Sequence, residues 1–242
     1  MRAILNTRRA QVAAPASDLR HAGGADQTSA VTSALVGDFD EDGHHDVYLT
    51  RSASDHWYQN NTMLFGDGRG SFRATNPVVR KTTSGSAMNM QTKGWCSCAV
   101  AMDANSDTHL DLFVGYKFRN VNSRWVTSRN QLWLGDGKGG FVIASNDLTK
   151  NKNPTVHAAA ADFNNDTHTD LFVVNGEWSG NELWLGDGKG GFKRPQLLRS
   201  QSRLGWHDAN SKKGPITRRS YMSVLVLDAD GNGWPDLLVA GL

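Results

Sequence analysis

The residues of this chain that could do chemistry fall into four short acidic clusters. The first holds Asp38, Asp40, Asp42 and Asp46. The second holds Asp103, Asn105, Asp107 and Asp111, and the third Asp162, Asn164, Asp166 and Asp170. The fourth holds Asp228, Asp230, Asn232 and Asp236. In every copy, side-chain oxygens occupy positions 1, 3, 5 and 9 of a nine-residue stretch. Calcium is a hard cation that takes about 6–8 oxygen ligands. Alternate residues of a tightly curled loop can turn such oxygens inward together. Position 7, occupied by His44, His109, His168 and Trp234, is expected to contribute its backbone carbonyl. Gly43 and Gly233 at position 6 suit a sharp turn, whereas Thr108 and Thr167 replace that glycine and predict weaker second and third sites. Read only as Asx turns, these aspartates would need no metal. Four copies with one spacing favour the metal reading.

An EF-hand loop starts alike, but it needs a glutamate at position 12. Here that position is Leu49, Val114, Val173 or Val239. The flanking residues are β-branched and aromatic, so the expected context is strand–loop–strand.

The elements that would hold these loops repeat as well. The first aspartates are separated by 65, 59 and 66 residues. Between them come NTMLFGDGRGSF from Asn61, NQLWLGDGKGGF from Asn130 and NELWLGDGKGGF from Asn181. Apolar residues, Gly-Asp-Gly, then Gly and Phe predict a hairpin. Asp67, Asp136 and Asp187 are read as turn formers. Each repeat thus offers a strand into the loop, a strand out of it and a two-stranded hairpin. Four antiparallel strands per repeat make one propeller blade. No stretch carries a sustained helical stripe. The fold class is therefore all-β: a β-propeller of four-stranded blades with about four repeats, either a closed four-bladed ring or part of a larger propeller. Residues 30–242 hold the repeats, with loops at 38–46, 103–111, 162–170 and 228–236. Residues 1–29 are expected to contain a degraded hairpin, strands near Ala3–Leu5 and Gln11–Ala14, that completes the last blade.

These loops and hairpins resemble FG-GAP or VCBS repeats, the blades of integrin α-subunit propellers and of many secreted or surface proteins. ADFNNDTHTDLFVVNG and NELWLGDGKGGF carry the likeness most clearly. The resemblance implies a calcium-binding module for adhesion or protein or ligand interaction, located outside the cell or on its surface, with calcium mainly structural. A lectin-like glycan binder and the scaffold of a polysaccharide-active enzyme are the alternatives. No catalytic constellation stands out beyond the loops, so no enzyme activity is expected.

The remaining features sharpen or exclude. Trp133 and Trp184 read as blade packing. Trp57, Trp125 and Trp178 precede the hairpins in loops of varying length and are candidate sugar-stacking residues. The histidine side chains at position 7 are expected to face solvent. Cys96 and Cys98, two apart on a strand, should point to one side as free thiols. Thirteen of the 24 acidic residues are aspartates at ligand positions of the loops, and four calcium ions would raise the formal charge from +2 to +10 and favour acidic partners. No basic–aromatic motif suggests nucleic acid. No apolar run reaches the roughly 18–20 residues of a membrane helix, and the basic start, Met1–Arg9, lacks a signal-peptide core. An open propeller would expose sheet edges, which predicts self-association or further blades in a longer protein.

Overall fold

The computed structural model describes residues 4–7, 10–13, 31–51, 61–75, 95–121, 124–176, 179–195 and 221–241. Two short strands come first, β1 (Ile4–Thr7) and β2 (Ala10–Ala13), paired antiparallel. The first full sheet follows: β3 (Val31–Gly37), β4 (Asp46–Arg51), β5 (Thr62–Gly66) and β6 (Phe72–Thr75), hydrogen-bonded in that order. The second runs β7 (Cys96–Met102), β8 (Asp111–Tyr116), β11 (Gln131–Gly135) and β12 (Phe141–Ala144). Between β8 and β11 lies a separate hairpin, β9 (Phe118–Val121) with β10 (Arg124–Thr127). The third sheet is β13 (Thr155–Ala161), β14 (Asp170–Asn175), β15 (Glu182–Gly186) and β16 (Phe192–Lys193). The fourth consists, among the described residues, of β17 (Tyr221–Leu227) and β18 (Asp236–Gly241).

The fold is all-β. Each full sheet is the expected antiparallel meander, with the acidic loop joining its first two strands. All six residues of β8 and all six of β14 are buried, because another sheet covers each face. Three apolar clusters fill the junctions. Tyr48 and Met63 of the first sheet meet Leu112 and Trp133 of the second. Phe113 and Leu132 of the second meet Leu171 and Trp184 of the third. Phe172 and Leu183 of the third meet Val224, Leu237 and Val239 of the fourth. Trp133 and Trp184 are buried packing residues, as expected.

The first strands also touch one another directly. Thr32 Oγ1 donates to the Cys96 carbonyl, 2.7 Å, and Ser97 Oγ to the Thr155 carbonyl, 2.6 Å. Both donors sit at a register shift, and the same shift recurs in all four first strands. A bulge inserts one residue and reverses which face the next side chain meets. It corrects the expectation for the cysteines. Cys96 packs toward the first sheet and Cys98 toward the third. Both are free and fully enclosed, and burial pushes the Cys98 thiol up to about 12. Neither is a reactive thiolate.

Other departures are local. A one-turn helix, α1 (Asp147–Lys150), is closed by a capping box in which Asn146 Oδ1 accepts from Thr149 N and Thr149 Oγ1 accepts from Asn146 N, both 3.0 Å. It seats Leu148 in the second junction. One turn is too short to show a 3.6-residue period. The N-terminal hairpin is present, but β1 and β2 form a sheet of their own and are not paired with β18. The described residues contain no helix long and apolar enough to cross a membrane.

Candidate metal centres

Each acidic loop is built first from its own backbone. The position 1 carboxylate accepts from the N–H of position 6: Asp38 from Gly43 at 3.0 Å, Asp103 from Thr108 at 2.9 Å, Asp162 from Thr167 at 2.8 Å and Asp228 from Gly233 at 2.9 Å. The position 5 side chain accepts from the N–H of position 7 in all four, at 2.8–3.0 Å. Such Asx bonds curl the loop before any metal is considered. The curl needs two left-handed residues. At position 6, Gly43 and Gly233 lie at φ +86° and +84°, and Thr108 and Thr167 are held at +72° and +70°. For a β-branched residue that is a strained backbone, costing roughly 1–2 kcal/mol. Position 4 is left-handed too, with Glu41 at +56°, Ser106 at +59°, Asn165 at +58° and Gly231 at +74°. Sequence reading missed this position because three of its occupants are not glycine.

The position 9 aspartates do more than face the loop. Asp46 accepts from Phe39 N at 2.8 Å and from Gly66 N at 2.9 Å. Asp111 accepts from Ala104 N and Gly135 N, both 2.8 Å, and Asp170 from Phe163 N and Gly186 N, both 2.9 Å. All three are completely buried. They staple the loop to the glycine that opens the hairpin turn. That glycine has no room for a side chain, since a Cβ at Gly66, Gly135 or Gly186 would overlap the carbonyl of position 8. Asp236 accepts only from Ala229 N, 2.8 Å, among the described residues.

The loops differ where a cation would sit. In the first, oxygens of Asp38, Asp40 and Asp42 lie within 4.8 Å of one another. Asp38 Oδ1 and Asp40 Oδ1 are buried with no hydrogen-bond donor. Burial, then the charges of Asp46 and Asp42, raise the Asp40 carboxyl above its ordinary range. Asp228, Asp230 and Asp236 form a second such group in the fourth loop. In the second and third loops an amide stands at position 3 and donates to position 5: Asn105 Nδ2 to Asp107 at 2.8 Å, Asn164 Nδ2 to Asp166 at 2.9 Å. The first loop, with all-oxygen donors and orphaned carboxylate atoms, fits a hard divalent cation best.

The loops also sit on the junctions. Gly139 N, in the hairpin turn of the second sheet, donates to Phe39 O of the first loop at 3.3 Å. Gly190 N of the third sheet donates to Ala104 O of the second loop at 3.0 Å. Glu41 pairs with His109 across the first junction. The histidine rings do not simply face solvent. His44, His109 and His168 lie over Gly68, Gly137 and Gly188 of their own hairpin turns. Trp234, at the same position of the fourth loop, is half exposed. Asp67, Asp136 and Asp187 accept the N–H groups two and four residues on, as turn formers do.

A family model described as FG-GAP-like repeat matches three overlapping spans, residues 38–114, 103–173 and 162–239. Each span opens on a position 1 aspartate and closes at position 12 of the next loop. The chain belongs to the FG-GAP-like repeat family. Among solved structures, the FG-GAP-like chain is similar to a lectin from Agrocybe aegerita, described as recognising non-reducing terminal N-acetylglucosamine. That match is 17% identical over 86% of this chain and 47% of the lectin, with a TM-score of 0.48. It is also similar to a Bacillus licheniformis rhamnogalacturonan lyase, 15% identical over 90% of this chain and 42% of the lyase, TM-score 0.49. The chain spans less than half the length of either. A search of curated proteins finds no relative.

Of the tryptophans read as sugar-stacking candidates, Trp57 and Trp178 lie outside the described residues. Trp125 is on β10, a strand rather than a loop, opposite Asn120 of β9.

Proposed function

We propose that this FG-GAP-like chain is a calcium-stabilised β-propeller module that binds a protein or glycan partner outside the cell and has no catalytic role. The observation that carries the reading is the pair of buried, donorless oxygens of Asp38 and Asp40 beside Asp42. Three carboxylates at such range repel one another, and a divalent cation offsets that cost. Asp38, Asp40, Asp42 and Asp46 with the His44 carbonyl would hold the ion in the first loop. Asp228, Asp230, Asn232 and Asp236 with the Trp234 carbonyl would do so in the fourth. The second site would use Asp103, Asn105, Asp107, His109 and Asp111, and the third Asp162, Asn164, Asp166, His168 and Asp170, each histidine through its carbonyl. Calcium supplies charge neutralisation and a fixed loop shape. Because the first and second loops accept from the next sheet's hairpin turn, fixing either loop also fixes its junction. Affinity in the submillimolar to millimolar range suits an extracellular setting.

The propeller part rests on the face-to-face junctions and on the contacts between successive first strands. The test is thermal unfolding of the purified chain in millimolar CaCl₂ and in EDTA, with calorimetric titration of the metal-free protein. A midpoint that rises with calcium and saturates, with measurable heats, is the expected result. A cooperative melt indifferent to calcium would reduce the loops to Asx turns.

A further inference from the structure

The three junctions share one plan of apolar packing, and both halves of that plan are also open among the described residues. Each sheet sends apolar side chains from equivalent positions of its first two strands toward the sheet that follows, the second-strand one always aromatic. These are Leu35 and Tyr48, then Val100 and Phe113, then Ala159 and Phe172. The next sheet receives them on its own first strand, at Ala99 and Ala101 in the second sheet, Ala158 and Ala160 in the third and Val224 in the fourth. In the fourth sheet the sending positions are Leu225 and Leu238, and they are 58% and 59% exposed. Met222, at the bulge position where Thr32 and Ser97 grip the next strand, is 57% exposed. In the first sheet the receiving positions are Ala34 and Val36, and Val36 is 58% exposed. Among the described residues a sending face and a receiving face thus stand open, and the two do not meet.

We infer that a second copy of this chain covers the Leu225–Leu238 face of the fourth sheet, presenting the Ala34–Val36 face of its first sheet as each sheet presents its own to the one before it. The occupant follows from the match. The open receiving strand has alanine at position 34, as the second and third sheets do at Ala99 and Ala158, and valine at 36. The fourth sheet already receives its neighbour on a valine, Val224, so a strand of this make-up packs apolar side chains at an internal junction too. The two surfaces are different patches, so the contact is heterologous, head to tail, and closes into a ring or continues. Burying two leucines and a methionine removes apolar area from water at a place where the molecule otherwise leaves it wet.

The experiment is analytical ultracentrifugation of the whole chain in millimolar CaCl₂ over a wide concentration range. A mass at a multiple of 26.4 kDa is expected at high concentration. The doubly substituted Leu225→Asp, Leu238→Asp chain, which loses the sending face, and Val36→Asp, which loses the receiving face, should each sediment as single copies. These side chains are already exposed, so the folded core survives, and unchanged far-ultraviolet circular dichroism checks it. Mixing the two variants should restore a complex of two copies, because each keeps the face the other lacks. A wild-type chain that stays at 26.4 kDa overturns the inference, as do variants that still assemble. So does a mixture of single-copy variants that fails to pair, since a symmetric contact would behave that way.

Discussion

In the loop at 38–46, Asp38 and Asp40 each keep a buried, donorless oxygen, and their carboxylates cluster with that of Asp42. In the loop at 162–170, Asn164 stands where Asp40 does and gives its amide to Asp166. The first loop bends at Gly43, the third at Thr167, with nearly the same left-handed backbone. One frame therefore carries two solutions to the same crowding. The first leaves its charge uncompensated and relaxes its backbone. The third answers part of its charge with an amide and accepts backbone strain. Dependence on metal should concentrate in the first.

Chelation should show the largest effect. A hundredfold excess of calcium over Kd stabilises by about 2.7 kcal/mol per site, which for a chain of this size is roughly 5–10 °C in Tm. Differential scanning calorimetry with and without EDTA measures it. A Tm that chelation leaves in place would erase the contrast between the loops.

Exchanging the position 3 residues comes next. Asp40→Asn should cut calcium affinity about tenfold, near 1.4 kcal/mol, yet raise the Tm of the metal-free protein by removing a like charge. Asn164→Asp should do the reverse in both buffers. Titration calorimetry and paired melts read the four signs, and equal responses from the two variants would break the comparison.

The backbone exchange is smaller. Thr167→Gly should stabilise, and Gly43→Thr destabilise, by about 1 kcal/mol each, seen as opposite shifts of the urea midpoint.

The smallest effect is in pH. Burial first, then neighbouring charge, raises the Asp40 carboxyl, and burial lifts Asp111 to about 6. A raised folded value means that the contribution is complete below the unfolded value near 3.8 and is lost as pH climbs through the folded one. In the metal-free protein these groups therefore favour stability between about pH 4 and 6 over pH 7. Asp166 goes the other way. The His168 N–H and then the Asn164 amide hold it below its ordinary range, so its contribution fades as pH falls. Carboxyl carbon titration by NMR should place Asp40 above and Asp166 below the usual aspartate value.

Much of this was legible in the sequence. The 1-3-5-9 spacing located all four loops, and the Gly-Asp-Gly hairpins gave the third and fourth strands of three sheets. What escaped has a common cause, namely that it depends on contacts between strands. The bulge that sends Cys96 and Cys98 to different sheets leaves no mark on an alternating pattern. The position 9 staple could be read only as a ligand, because its donors, Gly66, Gly135 and Gly186, come from another hairpin segment. The left-handed residues at position 4 were hidden by Glu41, Ser106 and Asn165. The hairpin of β9 and β10 falls in an insertion that the repeat does not predict.

The bulge hydroxyls have a mechanical consequence. Thr32 and Ser97 tie the first junction and the second across their inner strands. At the third junction the equivalent residue is Val156, which has no hydroxyl and adds only apolar packing. Pulled from its two ends, the array has its weakest seam there. The fourth sheet should peel away at low force while the first three yield later as one body, and amide exchange at rest should rank the seams in the same order.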